Sequence, residues 1–310
     1  MLVTSESESD SLKHVAEIVF LSPHLDDAVL GAGALIARQV AEGKKVAVWT
    51  VFTGTPPGAR PRARFRVFCS YDERFQEDER ALSLLGAGYR WLGFGERIWS
   101  EPPVSNSMQL FRTPKSAASF ENLAAIAETI EKLLDHQGVT IYAPLGVGNH
   151  YDHVEVALAA LKVLCARRAF SRLLFYEDFY ATDAAARRRH FVTRRLTWGP
   201  FKASGWASPA VGLLLRFGAW SARGPGIDTY LPEVACLSWS CKVEPVGEFE
   251  VAKLDAVAEY RSQVSAIGGF GKLKSYLRRA HALHGGELIW RADVDEAAGS
   301  KEKQPPSNEK

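Results

Sequence analysis

Short apolar runs at 15–21, 45–52, 89–94, 139–143 and 172–176 alternate with helical patterns at 27–42, 72–85, 121–135 and 153–166. The first helical pattern places apolar residues at 29, 30, 33, 36, 37 and 40, the stripe of a helix with one buried face. Strands that alternate with helices in this way predict an α/β fold in which a mostly parallel sheet carries helices on both faces. Right-handed crossovers then bring the C-terminal ends of the strands to one edge of the sheet, where ligands of open α/β folds gather.

Further along, 254–264 and 272–283 are helical in pattern, and 54–66 is a loop containing three prolines. Residues 182–248 hold scattered Gly, Pro and Trp without a sustained period, which predicts an irregular subregion covering the active-site edge. The polar tail 297–310 is expected to be disordered and 1–14 flexible. The reading is therefore one domain over 15–296, and a chain of 310 residues with 46% hydrophobic content can bury a core of that size.

A net charge of +2 gives no electrostatic footprint for nucleic acid, and the basic clusters at 60–66 and 187–195 read as solvated faces, the alternative being that one of them meets a phosphate or an anionic lipid near the substrate entrance. Cys69, Cys165, Cys236 and Cys241 have no CxxC spacing and suggest no disulfide framework. The acidic, polar N-terminus lacks the features of a signal peptide, so a cytoplasmic location is expected. The apolar stretch 206–220 is interrupted by Arg216 and is too short to span a bilayer, which leaves peripheral membrane contact open.

Two segments carry the chemistry. Ser22-Pro23-His24-Leu25-Asp26-Asp27 and Gly148-Asn149-His150-Tyr151-Asp152-His153 each follow an apolar run and open a helical pattern. A catalytic zinc site takes three protein ligands and keeps one position for water. His24 and Asp27, three residues apart, can face one point from the first turn, and His153 reaches it from the second. Asp26 is then placed to act as general base, and His150 as an imidazolium that stabilises a tetrahedral intermediate or protonates the leaving amine. Asp152 is expected to orient one of the imidazoles. Either aspartate of the first pair could also serve as a helix N-cap. His14, His136, His190, His281 and His284 have no comparable setting and read as surface or cap residues. Gly31-Ala32-Gly33 lies inside the helical pattern, past the turn where a dinucleotide fingerprint would have to be.

The two segments resemble the paired motifs of the PIG-L (LmbE-like) deacetylases. Arg74 followed by Glu77 and Asp78, the segment Tyr176-Glu177-Asp178, and Tyr260-Arg261-Ser262-Gln263 extend the resemblance over about 16–291. It implies a Rossmann-like three-layer sandwich with the metal site at the C-terminal edge of the strands. It also implies an N-acyl, usually N-acetyl, amino sugar in a small-molecule conjugate as substrate, hydrolysed by attack of a zinc-bound water. Carried over, the ligands are His24, Asp27 and His153, the base Asp26 and the charge stabiliser His150, with Arg74 a contact for sugar hydroxyls. The chain departs from the pattern at Leu25, where proline is usual, at Gly148, and at Glu96, where aspartate is common.

The leading expectation is thus a zinc-dependent N-deacetylase, with Fe(II), Co(II) or Mn(II) as other metals such donors accept. The alternatives are an amidase for another amide, linked to a glycopeptide or nucleoside, and a non-catalytic sugar-binding protein. The Trp-rich stretch 198–239 would serve the amidase as an apolar acceptor surface, or else serve the core.

Overall fold

In the computed structural model, residues 16–56, 70–100, 104–195 and 224–294 are described. The expectations for 1–14, for most of the loop 54–66, for 206–220 and for 297–310 lie outside these residues.

Side chains along β1 (Ile18–Ser22) alternate between two cores, with Ile18 and Phe20 entering one and Val19 and Leu21 the other. That alternation makes β1 a central strand with both faces covered. It pairs in parallel with β2 (Val46–Gly54) and with β4 (Thr140–Pro144), while β3 (Gly88–Gly95) continues beyond β2 and β5 (Leu173–Tyr176) beyond β4, again in parallel. One face is covered by α1 (Asp27–Ala41) and α2 (Tyr71–Leu85), the other by α3 (Leu123–Asp135) and α4 (Tyr151–Arg167). Helices, sheet and helices form the three layers expected.

The second half departs from the sequence reading. After α5 (Ala184–Arg189) and α6 (Ile227–Tyr230), Ser238–Glu244 forms β6, a regular strand inside the stretch expected to be irregular. The helical pattern at 254–264 is two helices, α7 (Phe249–Glu259) and α8 (Arg261–Ala266), broken at Tyr260, whose hydroxyl donates to Asp78 at 2.8 Å. Helix α9 (Phe270–His284) leads into β7 (Glu287–Asp293), which lies antiparallel between β5 and β6. The sheet order is β3-β2-β1-β4-β5-β7-β6.

Three histidines read as surface or cap residues are buried. His190 Nε2 lies 3.1 Å from the carbonyl of Leu145, His281 sits between Lys253 and Glu250, and His284 is enclosed in α9. Trp239 packs against Phe175 and Phe191 and serves the core.

Helix α1 is not continuous. Its backbone leaves the helical region at Ala32, with φ −140° and ψ 23°. The N–H groups of Ala34 and Leu35, at the start of the second segment, donate to the two carboxylate oxygens of Glu287 at 3.0 and 2.8 Å. Lys253 Nζ balances that carboxylate at 2.7 Å. Gly31 lies against β5 so closely that a Cβ there would stand 2.6 Å from the Tyr176 ring and 2.9 Å from the Glu177 carbonyl. Gly31-Ala32-Gly33 therefore makes a break that seats the first turn of α1 on β5.

Candidate metal centre

Strands β1 and β4 are hydrogen-bonded neighbours, so the turns that follow them meet at one edge of the sheet. In the first turn Ser22 Oγ donates to the His24 carbonyl at 2.6 Å and accepts from Ala28 N–H at 3.0 Å. Asp26 carries φ 143°, a conformation that strains any residue but glycine by about 1–3 kcal/mol. Its side chain makes no capping bond, and the Asp27 carboxylate bonds back to the His24 backbone N–H at 2.9 Å, so neither aspartate caps its helix.

Three side chains converge. His24 Nδ1 lies 3.0 Å and His153 Nε2 3.1 Å from Asp27 Oδ2. Ligand atoms around a tetrahedral zinc with bonds of about 2.1 Å stand roughly 3.4 Å apart, so this triad needs only slight expansion to hold such an ion. His153 Nε2 is buried and has no hydrogen-bond partner among the described residues. An imidazole nitrogen stranded beside a carboxylate oxygen fits a ligand position better than a core contact.

The surrounding residues fix these rings. His153 Nδ1 lies 2.6 Å from Asp178 Oδ1, and Asp178 Oδ2 accepts the Gly146 and Val147 N–H groups at 2.7 and 2.9 Å. His24 Nε2 lies 3.0 Å from Asp152 Oδ2, whose other oxygen accepts the Arg97 N–H at 3.0 Å. The sequence reading gave Asp178 and the Arg97 N–H no role. A carboxylate two residues past a strand of the same edge was the signal available for Asp178. His24, His150 and Asp152 form a second group of donor atoms close enough to share an ion.

Electrostatics distinguish the residues. Burial and the neighbouring Asp27 carboxylate push Asp26 up to about 8, with the Arg74 charge opposing. Burial also disfavours the Asp27 carboxylate, but His153 and His24 outweigh it and hold the group well below its usual range. His153 is raised to about 9 against burial, by Asp27 and Asp178. His150 differs from the expectation: burial drives it down to about 3, so its resting form is the neutral imidazole and not the imidazolium.

A cavity of about 230 Å³ opens over this arrangement. His24, Asp26, Asp27, His150 and Asp152 line it, together with Arg74, Glu96 and Gln263. Arg74 is 3% exposed and lies 3.3 Å from Glu96, which also accepts from the Tyr71 hydroxyl. Six of the seven residues singled out in the sequence thus line one cavity, and the seventh, His153, is buried behind it with Nε2 3.1 Å from Asp27 Oδ2. Gln263 arrives on α8, anchored where Ser262 N–H and Oγ donate to Glu77 at 2.8 and 2.6 Å.

A sequence profile of the family described as PIG-L, GlcNAc-PI de-N-acetylase, matches residues 19–164, a span containing both metal-centre turns. No curated protein sequence matches the chain. Among solved structures it is similar to the deacetylase of the antimicrobial A40926 pseudoaglycone, at 25% identity and a TM-score of 0.55 over 89% of this chain and 95% of that one. It is also similar to the zinc-inhibited form of teicoplanin deacetylase, at 23% identity and a TM-score of 0.62 over 90% of this chain and 98% of that one. A teicoplanin complex of a deacetylase aligns at 23% identity and the same TM-score of 0.62, over 90% and 99% of the two chains.

Proposed function

Residues 19–164 of this chain are a PIG-L family domain, and from that premise we propose that the protein is a metal-dependent hydrolase removing an N-acyl group, N-acetyl first among them, from an amino-sugar conjugate. The observation that carries this reading is the convergence of the His24, Asp27 and His153 ligand atoms beneath a cavity that the Asp26 carboxylate also lines. His24, Asp27 and His153 would hold the ion, zinc by the nature of the donors, although other divalent metals suit them. Such an ion supplies Lewis-acid polarisation of the amide carbonyl and makes water a nucleophile near neutral pH.

The chain's own residues do the rest. Asp26, poised near neutrality by burial and Asp27, takes the proton of the attacking water and returns it to the departing amine nitrogen. Neutral His150 lines the same cavity and hydrogen-bonds the substrate there, its Nδ1 3.9 Å from Asp152 Oδ2. Asp152 and Asp178 orient His24 and His153. Arg74, paired with Glu96, offers its guanidinium to sugar hydroxyls. Deacetylases of teicoplanin and of the A40926 pseudoaglycone share the fold, so acylated amino sugars on large conjugates belong in the first substrate panel.

The test is elemental analysis of the purified protein combined with amine release from N-acetylglucosamine conjugates before and after chelation. About one metal per chain and chelator-sensitive release is the expected result. Absence of metal after metal-replete purification would refute the reading.

A further inference from the structure

Asn149 precedes His150 on the second metal-centre turn and carries φ 62°, in the left-handed region that asparagine tolerates better than most side chains. Glycine would serve that backbone as well, so the side chain has another use. Its Nδ2 donates to the Phe111 carbonyl at 3.2 Å and to the Thr113 hydroxyl oxygen at 3.4 Å. The Thr113 hydroxyl gives its proton to the Pro225 carbonyl at 2.9 Å, so towards Asn149 it can only accept. Both groups facing the amide are acceptors, which fixes the end of the amide that points at them.

This tie reaches a wall of the cavity over the metal centre. Ser107, Leu110 and Phe111 line that cavity from the short turn Ser107–Phe111. The Phe111 ring stands edge-on to His150 and to Tyr180, with centroids 5.2 and 5.5 Å apart. Gly224 closes on Thr113 so tightly that a Cβ there would stand 2.0 Å from Thr113 Oγ1 and 2.7 Å from its N. The wall is thus held by Asn149 on the metal-centre turn and by the 224–225 segment. Arg74 stands on α2 and Glu96 follows β3, on the β3 side of the ligand triad, whereas Phe111 packs with His150 and Tyr180, which follow β4 and β5. An amino sugar resting on Arg74 therefore turns its N-acyl group past the triad toward Phe111.

We propose that Asn149 is a positioning residue for acyl specificity: by tying the 107–113 segment to the metal-centre turn it holds the Phe111 ring beside His150 and limits the substrate's acyl group to the size of acetyl. The inference rests on the hydrolase reading above. A fixed aromatic edge rejects added methylenes by overlap, so freeing the wall admits longer chains.

The test compares amine release from N-acetylglucosamine and N-butanoylglucosamine by the wild type and two variants. Asn149→Gly keeps the backbone conformation and removes the amide, while Asn149→Asp keeps the shape and sets a carboxylate against two acceptors. The wild type should prefer acetyl by about 100-fold in kcat/KM, and both variants should narrow that preference to about 10-fold or less, with metal content unchanged. A role in stability alone would lower release from both substrates by one factor. An unchanged ratio would overturn the proposal, as would a wild type that takes both acyl groups equally. In a Phe111→Ala background Asn149→Gly should barely move the ratio, and independent addition would count against the assignment. If the wild type releases no amine from any acylglucosamine, the hydrolase reading has failed and the acyl assignment falls with it. Amide hydrogen exchange across 107–113, expected to quicken in Asn149→Gly, then decides by itself whether Asn149 holds the wall, and unchanged exchange would refute that as well.

Discussion

At the scale of single residues the proposed function divides the site into groups that would hold the ion, groups that would react and groups that would orient, and substitutions should separate them. Asp26→Asn should lower kcat by about 10²–10⁴, the range for losing a general base, with metal content unchanged. His24→Ala should lose the metal itself, read by elemental analysis. Asp178→Asn leaves every proposed ligand in place but removes the carboxylate beside His153 Nδ1. Metal affinity should weaken about 10–100-fold, measured by competition with a chelator. Residue spacing along the chain was enough to single out His24, Asp27 and His153 as candidates, because two of them lie on one turn and the third on a matching turn, and their ligand atoms do meet in the folded chain. It could not reveal the charge of His150, which depends on how deeply the folded protein encloses the ring. Nor could it assign Asp178, whose partner in the folded protein is 25 residues away in sequence.

At the scale of elements the break in α1 matters most. The turn bearing Asp27 sits on β5 because Gly31 has no side chain to hold it off. Gly31→Ala forces a methyl group against a backbone carbonyl and an aromatic ring, and overpacking of this kind costs about 1–3 kcal/mol. At Gly33 a Cβ would meet side-chain atoms alone, Lys253 Cγ at 2.9 Å and Val29 Cγ1 at 3.3 Å, with no backbone carbonyl in the way, so Gly33→Ala should be tolerated better. Urea midpoints of the two variants check the ranking, and equal midpoints would argue against a seated first turn. The parallel strands and their helices were legible because each carries a plain apolar run or stripe. β6 was not: Trp239, Cys241 and Val243 alternate with Ser240, Lys242 and Glu244 on an edge strand whose faces are mostly half-exposed or exposed. Strand β7 follows Gly285-Gly286 directly and is a short apolar run that yields little signal without its partners.

At the scale of the whole molecule, two helical layers on a seven-stranded sheet enclose ionisable groups whose protonation is tied to folding. Burial holds His190 down to about 3, against an ordinary value near 6.5. The unfolded chain therefore binds a proton at this residue between about pH 6.5 and 3 that the folded chain refuses, so stability should fall as pH drops through that window. His190→Gln keeps a donor for the Leu145 carbonyl but cannot take up the proton. Its denaturation midpoint should change less between pH 7 and pH 4 than that of the wild type, and parallel profiles would rule His190 out as a source of acid sensitivity. Among the described residues no helix is long and apolar enough to cross a membrane.

Every proposed metal ligand lies in the first half of the chain, yet the break in α1 is closed by Glu287 of the last strand. On the ribosome the early strands and helices emerge first, with the carboxylate that clasps the second segment of α1 still unmade. At translation speeds of about 5–20 residues per second, the interval between the last ligand and Glu287 is on the order of ten seconds. Until then the nascent polypeptide carries its proposed metal-binding turns without their final clasp, so metal capture would have its full anchorage only once Glu287 has emerged.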